Sequence, residues 1–498
     1  MTTIGVLLDM VAQQAPERVV VGGMADGLTA RRLSTMADGG ARLLAQADAK
    51  ALIYLGTNGP AFTSALFAAA RAGVPLVPLN YRLSRSQLTL LIAEHEGAVA
   101  VADPEFVDQL AETCSHVYSK DSWLEATESH PVEGAPQANG DVAVVIYTSG
   151  STSAPKGVLL RHSNLVSYVV GTVQFGAEDL GECSLVSVPP YHIAAVANAI
   201  TNLYAGRRYI VLQQFDPRTW LEVVRREHVT HAMVVPTMLA RVLELEAHAV
   251  PTLRSLAYGG AQMPLSLITA ALEAWPHVEF SNAYGLTETS STIAVLGPED
   301  HRLAAEAADA KVRARLGSVG RPLPGVEVVI TRADGEPAGP NEPGRILVRG
   351  PQVSGEYAGA SALLDSAGFF DTRDGGYLDD DGYLFVIGRL DDTIIRGAEN
   401  VSPFEIEEVL LTHPSVRDVV VVGVPDAEWG QRIEAVVVPE AGESVESVDA
   451  EMLRSYVRTE LRGSKTPDRI HVWGTLPRTE VGKLSRRAIA GLLEAERA

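Results

Sequence analysis

Short apolar runs alternate with segments of helical periodicity along the first two thirds of the chain. Runs with the length and the Val/Ile content of buried strands occur at 51–55, 142–147, 184–188, 209–211 and 231–235. Helical spacing follows several of them, at 62–72, 216–227 and 237–248. Because strands that alternate with helices usually form parallel sheets covered by helices, this pattern predicts an α/β fold.

From about residue 317 the pattern changes to strands joined by turns rich in Gly, Pro and Asp. A hairpin is predicted from 376–378 and 383–387, since the connection Asp379-Asp380-Asp381-Gly382 ends in an Asp-Gly step that supplies the positive φ of a tight turn. A small α+β pattern follows, with elements at 403–411, 419–422, 434–438, 449–461 and from about 485. We therefore predict two domains, 1–389 and 390–498.

Composition narrows the class of protein mainly through charge. The 498 residues are 46% hydrophobic and 21% charged, which is ordinary for a globular chain of two or more folded units. An excess of 62 acidic over 41 basic residues gives a net charge of −21, which disfavours binding to nucleic acids and anionic membranes. An anionic substrate would therefore need a local positive site or a metal ion.

The cysteines and the N-terminus favour a cytoplasmic protein. Cys114 and Cys183 are too few for a disulfide framework and lack zinc-ligand spacing, which fits a reducing compartment. The first 20 residues lack the basic region and the cleavage site of a signal peptide, and they are predicted to form an amphipathic helix. No apolar run is long enough to span a bilayer.

Residues 147–158, YTSGSTSAPKGV, are predicted to form an anion-binding loop after a strand. The segment combines hydroxyls, a glycine and one cation that could wrap the β- and γ-phosphates of ATP, namely Thr148, Ser149, Gly150, Ser151, Thr152 and Lys156. The spacing of a Walker A loop is absent. The alternative interpretation is a flexible Ser/Gly surface loop.

A second motif, NAYGLTET at 282–289, follows an apolar segment. Tyr284 offers a face for a purine, Thr287 a hydroxyl for the α-phosphate, and Glu288 a carboxylate for Mg²⁺. The alternative is a polar turn with a helix N-cap at Thr287.

Two further motifs lie nearer the C-terminus. In GFFDTRDGGYLDDDGYLFVIGR, at 368–389, Asp374 could accept hydrogen bonds from both ribose hydroxyls and Arg389 could add donors. In PRTEVGKLSRR, at 477–487, the flanking residues suggest a shaped loop around Lys483, although a lone lysine near a C-terminus is usually a solvated charge.

These motifs, in this order, resemble those of the adenylate-forming superfamily, which includes acyl-CoA synthetases, non-ribosomal peptide adenylation domains and beetle luciferases. The resemblance covers nearly the whole chain and includes GRLDDTIIRGAENVSPFEIEEVL at 388–410 and HPSVRDVVVVGVPDAEWGQ at 413–431. It implies a large N-terminal domain of stacked β-sheets and helices with a distorted barrel, followed by a small mobile α+β C-terminal domain. It also implies an acyl-CoA synthetase that uses ATP, Mg²⁺ and coenzyme A.

The resemblance also implies a role for each matching residue. The loop at 148–157 holds pyrophosphate, and Asp374 and Arg389 hold the ribose. Tyr284 stacks on the adenine, whose site is lined by Gly259, Gly260 and Ala261, and Gly285 belongs to the same nucleotide site. Thr287 contacts phosphate, Glu288 binds Mg²⁺, and Lys483 bridges the substrate carboxylate and the α-phosphate. Asp391 is the hinge about which the C-terminal domain rotates, which removes Lys483 and brings Gly397, Ala398 and Glu399 to the thiol tunnel.

The sequence departs from the usual family pattern at three positions. Ser153 and Arg373 each stand where a glycine is usual, in the phosphate loop and before the ribose aspartate, and Ala398 replaces the second glycine of Gly-Gly-Glu-Asn. With these departures a second interpretation stays open, in which the protein is a specialised relative that is efficient in only one of the two steps, adenylation of the acid or transfer of the acyl group to CoA.

The acyl pocket is expected near 190–200, 234–239 and 258–263, whose side chains are mostly small or apolar. Its predicted lining residues are His192, Ala195, Val196, Val235 and Met238. Small side chains leave room for a medium-chain, long-chain or bulky apolar acid. No aspartate lies between Val188 and Leu203, which disfavours amino-acid substrates. The alternative is that these alanines simply pack a helix.

Other interpretations of the function remain open. An acyl-AMP ligase that loads a carrier protein instead of CoA would be favoured by an insertion after about residue 317, and none is seen. A non-catalytic ligand sensor would be favoured by loss of Lys483 or Glu288, and both are present. The sequence does not test a luciferase-like oxygenase, and a homodimer is compatible with it.

Overall fold

Four β-sheets organise the chain in the computed structural model, which describes residues 2–129, 140–148, 155–360, 363–396, 399–426, 429–461, 463–478 and 484–496. Two large sheets are mostly parallel, a third is antiparallel, and the fourth lies in the C-terminal part of the chain. This arrangement of a large multi-sheet domain and a smaller C-terminal domain confirms the predicted fold class.

The six-stranded sheet carries the start of the predicted anion loop. In spatial order its strands are His116–Ser119, Val99–Ala102, Leu52–Leu55, Leu76–Pro78, Val142–Thr148 and Lys156–Arg161. All neighbours are parallel except the last two strands, which pair antiparallel and bring Thr148 opposite Lys156. The two ends of the predicted loop are therefore fixed side by side.

The nine-stranded sheet carries the second motif. In spatial order its strands are Arg321–Pro322, Ser291–Leu296, Glu279–Leu286, Ser255–Gly259, His231–Val234, Cys183–Val186, Arg208–Val211, Val19–Val21 and Leu28–Thr29. Its central strands are parallel, as the alternating pattern predicts. Ligands of such sheets usually bind outside the carboxyl ends of the strands, and Gly259 and Leu286 end two neighbouring strands there.

The helices cover these sheets and fill the space between them. Their bounds are Gly5–Gln14, Ala30–Gln46, Pro60–Ala72, Arg85–Ala93, Val107–Ala111, Lys120–Glu128, His162–Thr172, Ile193–Ala205, Pro217–Arg226, Pro236–Leu243, Leu265–Ala274, Pro298–Glu306, Ala310–Ala314, Pro403–Leu411, Ala450–Glu460 and Arg486–Ala495. Helix Pro60–Ala72 is buried along nearly its whole length, as its apolar sequence predicts. None of the helices in the described ranges combines the length and apolarity needed to cross a membrane.

One predicted helix is shorter in the structure. The periodicity at 237–248 predicts a longer helix, but the helix ends at Leu243. Tertiary hydrogen bonds hold the following segment in turns, because Arg225 donates to the carbonyls of Ala247 and Ala249 and Trp275 donates to that of His248. These contacts come from distant parts of the chain, so a local pattern does not reveal them.

The antiparallel sheet contains the predicted hairpin. Its strands are Glu327–Thr331, Gly344–Arg349, Phe370–Leu378 and Leu384–Arg389. The third strand begins six residues before the predicted 376, because polar Thr372 and Asp374 are buried in it and interrupt the apolar alternation.

The C-terminal sheet is covered by helices on both faces. Its strands are Glu399–Val401, Ile394–Arg396, Gly430–Pro439, Val416–Asp426 and Arg469–Val472. The two long strands extend beyond the predicted 419–422 and 434–438 with polar residues such as Arg417 and Arg432. The boundary predicted after Arg389 falls between the antiparallel sheet and the turn Leu390–Asp392, and it stays a prediction, as does the hinge at Asp391.

Candidate functional site

A cleft of about 1940 Å³ runs between the carboxyl ends of the nine-stranded sheet, the antiparallel sheet and the C-terminal domain. Its wall includes Gly259, Gly260, Ala261, Tyr284, Gly285, Thr287, Asp374 and Arg389. A pocket for one small molecule usually measures roughly 300–1000 Å³. The cleft therefore has room for more than one substrate, and the structure brings residues of the second and third motifs together in it.

Tyr284 lies at an irregular point of its strand. The register between strands Glu279–Leu286 and Ser291–Leu296 shifts between Tyr284 and Gly285. A Cβ at Gly285 would lie 1.8 Å from the carbonyl oxygen of Ser291, so only glycine allows this approach. The tyrosine hydroxyl donates a hydrogen bond of 2.6 Å to Oδ2 of Asp374, which fixes the ring at the wall of the cleft.

Asp374 is a buried carboxylate that joins two other predicted site residues. It is 6% exposed, and its Oδ1 lies 3.1 Å from Nε of Arg389. Burial raises the pKa of Asp374 above its usual value, whereas Arg389 and the Tyr284 hydroxyl oppose this shift. The arrangement presents one carboxylate and one guanidinium at the same point of the cleft.

Glu288 is buried, and among the described residues it has no cationic partner. It lies in the 3-10 turn Thr287–Thr289, is 8% exposed, and forms no ion pair within the described ranges. Buried carboxylates in proteins are normally paired with a cation or bind a metal ion. Because Mg²⁺ commonly takes one or two carboxylates together with phosphate oxygens, this carboxylate fits a magnesium ligand.

Tyr357 contacts Glu288, and sequence reasoning did not single it out. Its hydroxyl donates a hydrogen bond of 2.7 Å to Oε1 of Glu288. Burial raises the pKa of the Tyr357 phenol above its usual range. Since 69 residues separate the partners and Tyr357 belongs to none of the four motifs, no local signal reveals this contact.

The anion loop is described only at its ends. Thr148 and Lys156 pair across the two strands, and Nζ of Lys156 lies 5.7 Å from the centre of the Tyr357 ring. Ser149, Gly150, Ser151, Thr152 and Ser153 lie outside the described residues. The structure therefore places the lysine of this motif next to the residue that contacts Glu288.

The predicted acyl residues divide into two groups. His192 and Val235 line the cleft, together with Ala194 and with Met233, which sequence reasoning missed. Three others are buried in hydrophobic clusters and do not line this cleft, namely Ala195, Val196 and Met238. Successive residues of a helix point about 100° apart, so a helix can present Ala194 to the cleft while its next residues pack the core.

Arg373 and Asp391 contact each other next to Asp374 and Leu390, which line the cleft. Arg373 adopts a φ of 60°, in the region that favours glycine, and its N–H donates to Oδ1 of Asp371. Its Nη1 lies 3.9 Å from Oδ2 of Asp391, and both side chains are about half exposed. The residue that replaces the usual glycine therefore reaches the predicted hinge.

The segment that carries Lys483 lies outside the described residues, but its flanks are anchored. Arg478 contacts both carboxylate oxygens of Asp418 at 2.7 Å, and Arg486 contacts those of Glu407 at 2.7 and 2.6 Å. Gly397 and Ala398 are likewise outside the described residues, and Glu399 begins the strand Glu399–Val401.

The fold is that of a two-domain adenylate-forming enzyme. The AMP-binding enzyme family model matches residues 8–358, and the model of the AMP-binding enzyme C-terminal domain matches residues 405–483. The chain therefore belongs to the AMP-binding enzyme family, which confirms the predicted superfamily.

Named relatives cover nearly the same length as this chain. A feruloyl-CoA synthase of Amycolatopsis sp is 34% identical over 91% of both chains. The fatty acid–[acyl-carrier-protein] ligase ScoC of Streptomyces coeruleorubidus is 33% identical over 88% of this chain and 85% of its own. The solved o-succinylbenzoate coenzyme A synthetase of Bacillus subtilis, in complex with ATP and a magnesium ion, has a TM-score of 0.81 at 28% identity and covers 97% of this chain and 98% of its own.

Proposed function

We propose that this protein is an AMP-forming acid–thiol ligase, which converts a carboxylic acid to its acyl-adenylate with ATP and Mg²⁺ and then transfers the acyl group to coenzyme A. The observation that carries the proposal is the buried carboxylate of Glu288, which has no cationic partner among the described residues. The family membership supports it, as do the names of relatives that form CoA thioesters.

The first half-reaction joins two anions, because the substrate carboxylate attacks the α-phosphorus of ATP and pyrophosphate leaves. We assign the ribose to Asp374 and Arg389, the adenine to Tyr284 and the α-phosphate to Thr287. Mg²⁺, when bound at Glu288, offsets charge on the phosphate oxygens. Lys156 and the anion loop would hold the leaving pyrophosphate, and Lys483 would stabilise the charge that develops at the attacked phosphorus.

In the second half-reaction the CoA thiol attacks the acyl carbon and AMP leaves. We assign the hinge to Asp391 and the approach of the thiol to Gly397, Ala398 and Glu399, after rotation of the C-terminal domain. The rotation would move Lys483 away from the same cleft, so that one site serves both reactions in turn.

We infer that the acid has a bulky apolar or aromatic body. The described wall of the acyl region combines small Ala194 with apolar Met233 and Val235, and His192 lies at the same wall. Such a wall offers width and apolar contact. The relatives named for feruloyl and o-succinylbenzoate substrates support a bulky acid more than a long alkyl chain.

Ala194→Phe is expected to raise the KM for a bulky acid by at least about tenfold, because the added ring fills space that the acid would occupy. The KM for ATP and the turnover of the shortest accepted acid should change little. Steady-state kinetics with both acids measures this, and Ala45→Phe, at an exposed helical alanine, is the matched control. An equal loss for short and bulky acids would place Ala194 outside the acyl pocket.

Adenosine is expected to bind more weakly as the pH falls through the pKa of Asp374. The ionised carboxylate accepts hydrogen bonds from ribose hydroxyls, and burial raises this pKa above its usual value. Binding should therefore weaken at a higher pH than for an ordinary aspartate, which titrates near 3.9. Calorimetry measures the affinity for adenosine, which carries no phosphate that could titrate. The pH range is the one in which circular dichroism shows that the protein is folded. Asp374→Asn should abolish the pH dependence of the affinity.

Mass spectrometry of reactions with Mg²⁺-ATP tests the proposed function. The panel comprises short, medium, long, aryl and polycyclic acids, each with and without CoA. We expect acyl-CoA from an aryl or polycyclic acid. Formation of neither adenylate nor thioester from any acid, followed by no transfer from a synthetic adenylate, would overturn the proposal.

A carrier protein is the second candidate acceptor. The similarity to the fatty acid–[acyl-carrier-protein] ligase favours it. In the same experiment, adenylate that accumulates without a CoA ester, and disappears when a carrier protein bearing a phosphopantetheine thiol is added, would favour this acceptor over CoA. Accumulation with both acceptors would indicate a protein that is efficient in adenylation alone.

A further inference from the structure

Residues 352–358 form a bridging segment between the two large sheets. On one side, the N–H of Leu159 donates to the carbonyl of Glu356, and the N–H of Ala358 donates to that of Gly157, at 3.0 and 2.7 Å. These contacts attach the segment to the strand that follows the anion loop. On the other side, the N–H of Ser354 donates at 2.8 Å to the main-chain carbonyl of Glu288.

Side chains reinforce both attachments. Arg161 forms an ion pair of 2.8 Å with Glu356, and a second one with Asp141. The amide of Gln352, which is 4% exposed, donates to the carbonyls of Thr289 and Thr292 at 3.1 and 2.6 Å. The bridging segment is therefore held on both sides, by partly exposed ion pairs on one side and by the buried Gln352 amide on the other, and has little freedom to move relative to Glu288.

Tyr357 projects from this segment toward two groups assigned to the nucleotide phosphates. Its hydroxyl donates to Oε1 of Glu288 at 2.7 Å, and its ring lies 5.7 Å from Nζ of Lys156. The other carboxylate oxygen of Glu288 has no hydrogen-bond partner within the part of the chain that the structure describes. One side chain thus contacts both the carboxylate and the cation.

We propose that Tyr357 is a positioning residue for the magnesium carboxylate: its hydroxyl fixes Oε1 of Glu288 and leaves Oε2 for the cation, while its ring supports Lys156. The inference rests on the proposed function. Ligating carboxylates are themselves usually hydrogen-bonded, and removal of such an outer partner typically weakens metal affinity by about 10- to 100-fold. Tyr357 meets this description in both distance and burial of its partner.

Calorimetric titration with ATP, once in excess EDTA and once in excess Mg²⁺, tests the role without any turnover. Tyr357→Phe removes the hydroxyl and keeps the ring near Lys156. We expect its affinity for Mg²⁺-ATP to fall by about tenfold, with its affinity for metal-free ATP unchanged. Tyr357→Leu should weaken both, because it also removes the ring.

Tyr383→Phe is the matched control. The Tyr383 hydroxyl also donates to a carboxylate, Asp300 at 2.5 Å, but neither residue is assigned to the nucleotide or to Mg²⁺. This variant should retain both affinities. The melting temperature of each variant shows whether it is folded.

Two results would overturn the proposed role of Tyr357. One is an unchanged affinity of Tyr357→Phe for Mg²⁺-ATP. The other is an increased affinity, which would mean that the hydroxyl competes with the cation for Glu288. If the unaltered protein binds ATP equally with and without Mg²⁺, or not at all, the proposed function fails instead, so the two failures are distinguishable.

Discussion

Lys483→Ala is expected to slow adenylation by roughly 100- to 1000-fold, the range seen when one group that stabilises developing charge is removed. Transfer of the acyl group from a preformed adenylate to CoA should be largely retained, because the lysine is proposed to leave the cleft before that step. The two rates are measured separately, by pyrophosphate release in the presence of acid and by thioester formation from a synthetic adenylate.

Lys311→Ala is the control for this substitution. Its side chain is 87% exposed, so loss of its charge should affect neither rate. If Lys483→Ala slowed both half-reactions equally, the lysine would have a general role in binding or folding, and its assignment to the first step would be wrong.

Glu288→Gln is expected to reduce turnover at limiting Mg²⁺ by roughly 100-fold, because an amide is a poor substitute for a carboxylate as a Mg²⁺ ligand. The melting temperature without metal should stay the same or rise. The reason is that a buried carboxylate that has no cationic partner among the described residues destabilises the fold when it carries its charge, and the substitution removes that charge while the side chain keeps its shape.

Glu407→Gln gives the contrasting result for a paired carboxylate. Glu407 is 6% exposed and accepts hydrogen bonds from Arg486 through both carboxylate oxygens. Removal of its negative charge should lower the melting temperature, because the Arg486 cation is then left without its partner. A Glu288→Gln protein that melts well below the unaltered protein, or that keeps its Mg²⁺ dependence, would remove Glu288 from the metal site.

The fold could be predicted from the sequence where burial depends on local pattern. The parallel strands near 142–147, 184–188 and 231–235 are mostly apolar, and their pattern predicts them to within about two residues. The strand Phe370–Leu378 was predicted only in its last part, since its buried positions include Thr372 and Asp374. Buried polar residues, among them the aspartate that we assign to the ribose, interrupt the periodicity by which strands are recognised.

The candidate site could be predicted where its residues fall within short motifs. Tyr284 and Asp374 come from two motifs, and the structure joins them by a hydrogen bond. The motifs do not predict Tyr357, whose contacts depend on how three distant segments meet. Nor do they predict which of Ala194, Ala195 and Val196 lines the cleft, because that depends on the rotation of one helix about its axis.

The bridging segment also has a consequence for how the protein folds. Arg161 and Glu356 are 195 residues apart in the chain, and contacts of such separation form late because a long loop must close first. The nucleotide site should therefore be absent from any partly folded chain in which the two large sheets have formed without docking through residues 352–358. A nucleotide that binds only the docked form at 100 times its Kd would stabilise it by about 2.7 kcal/mol, so cellular ATP would act on this protein as a folding ligand as well as a substrate.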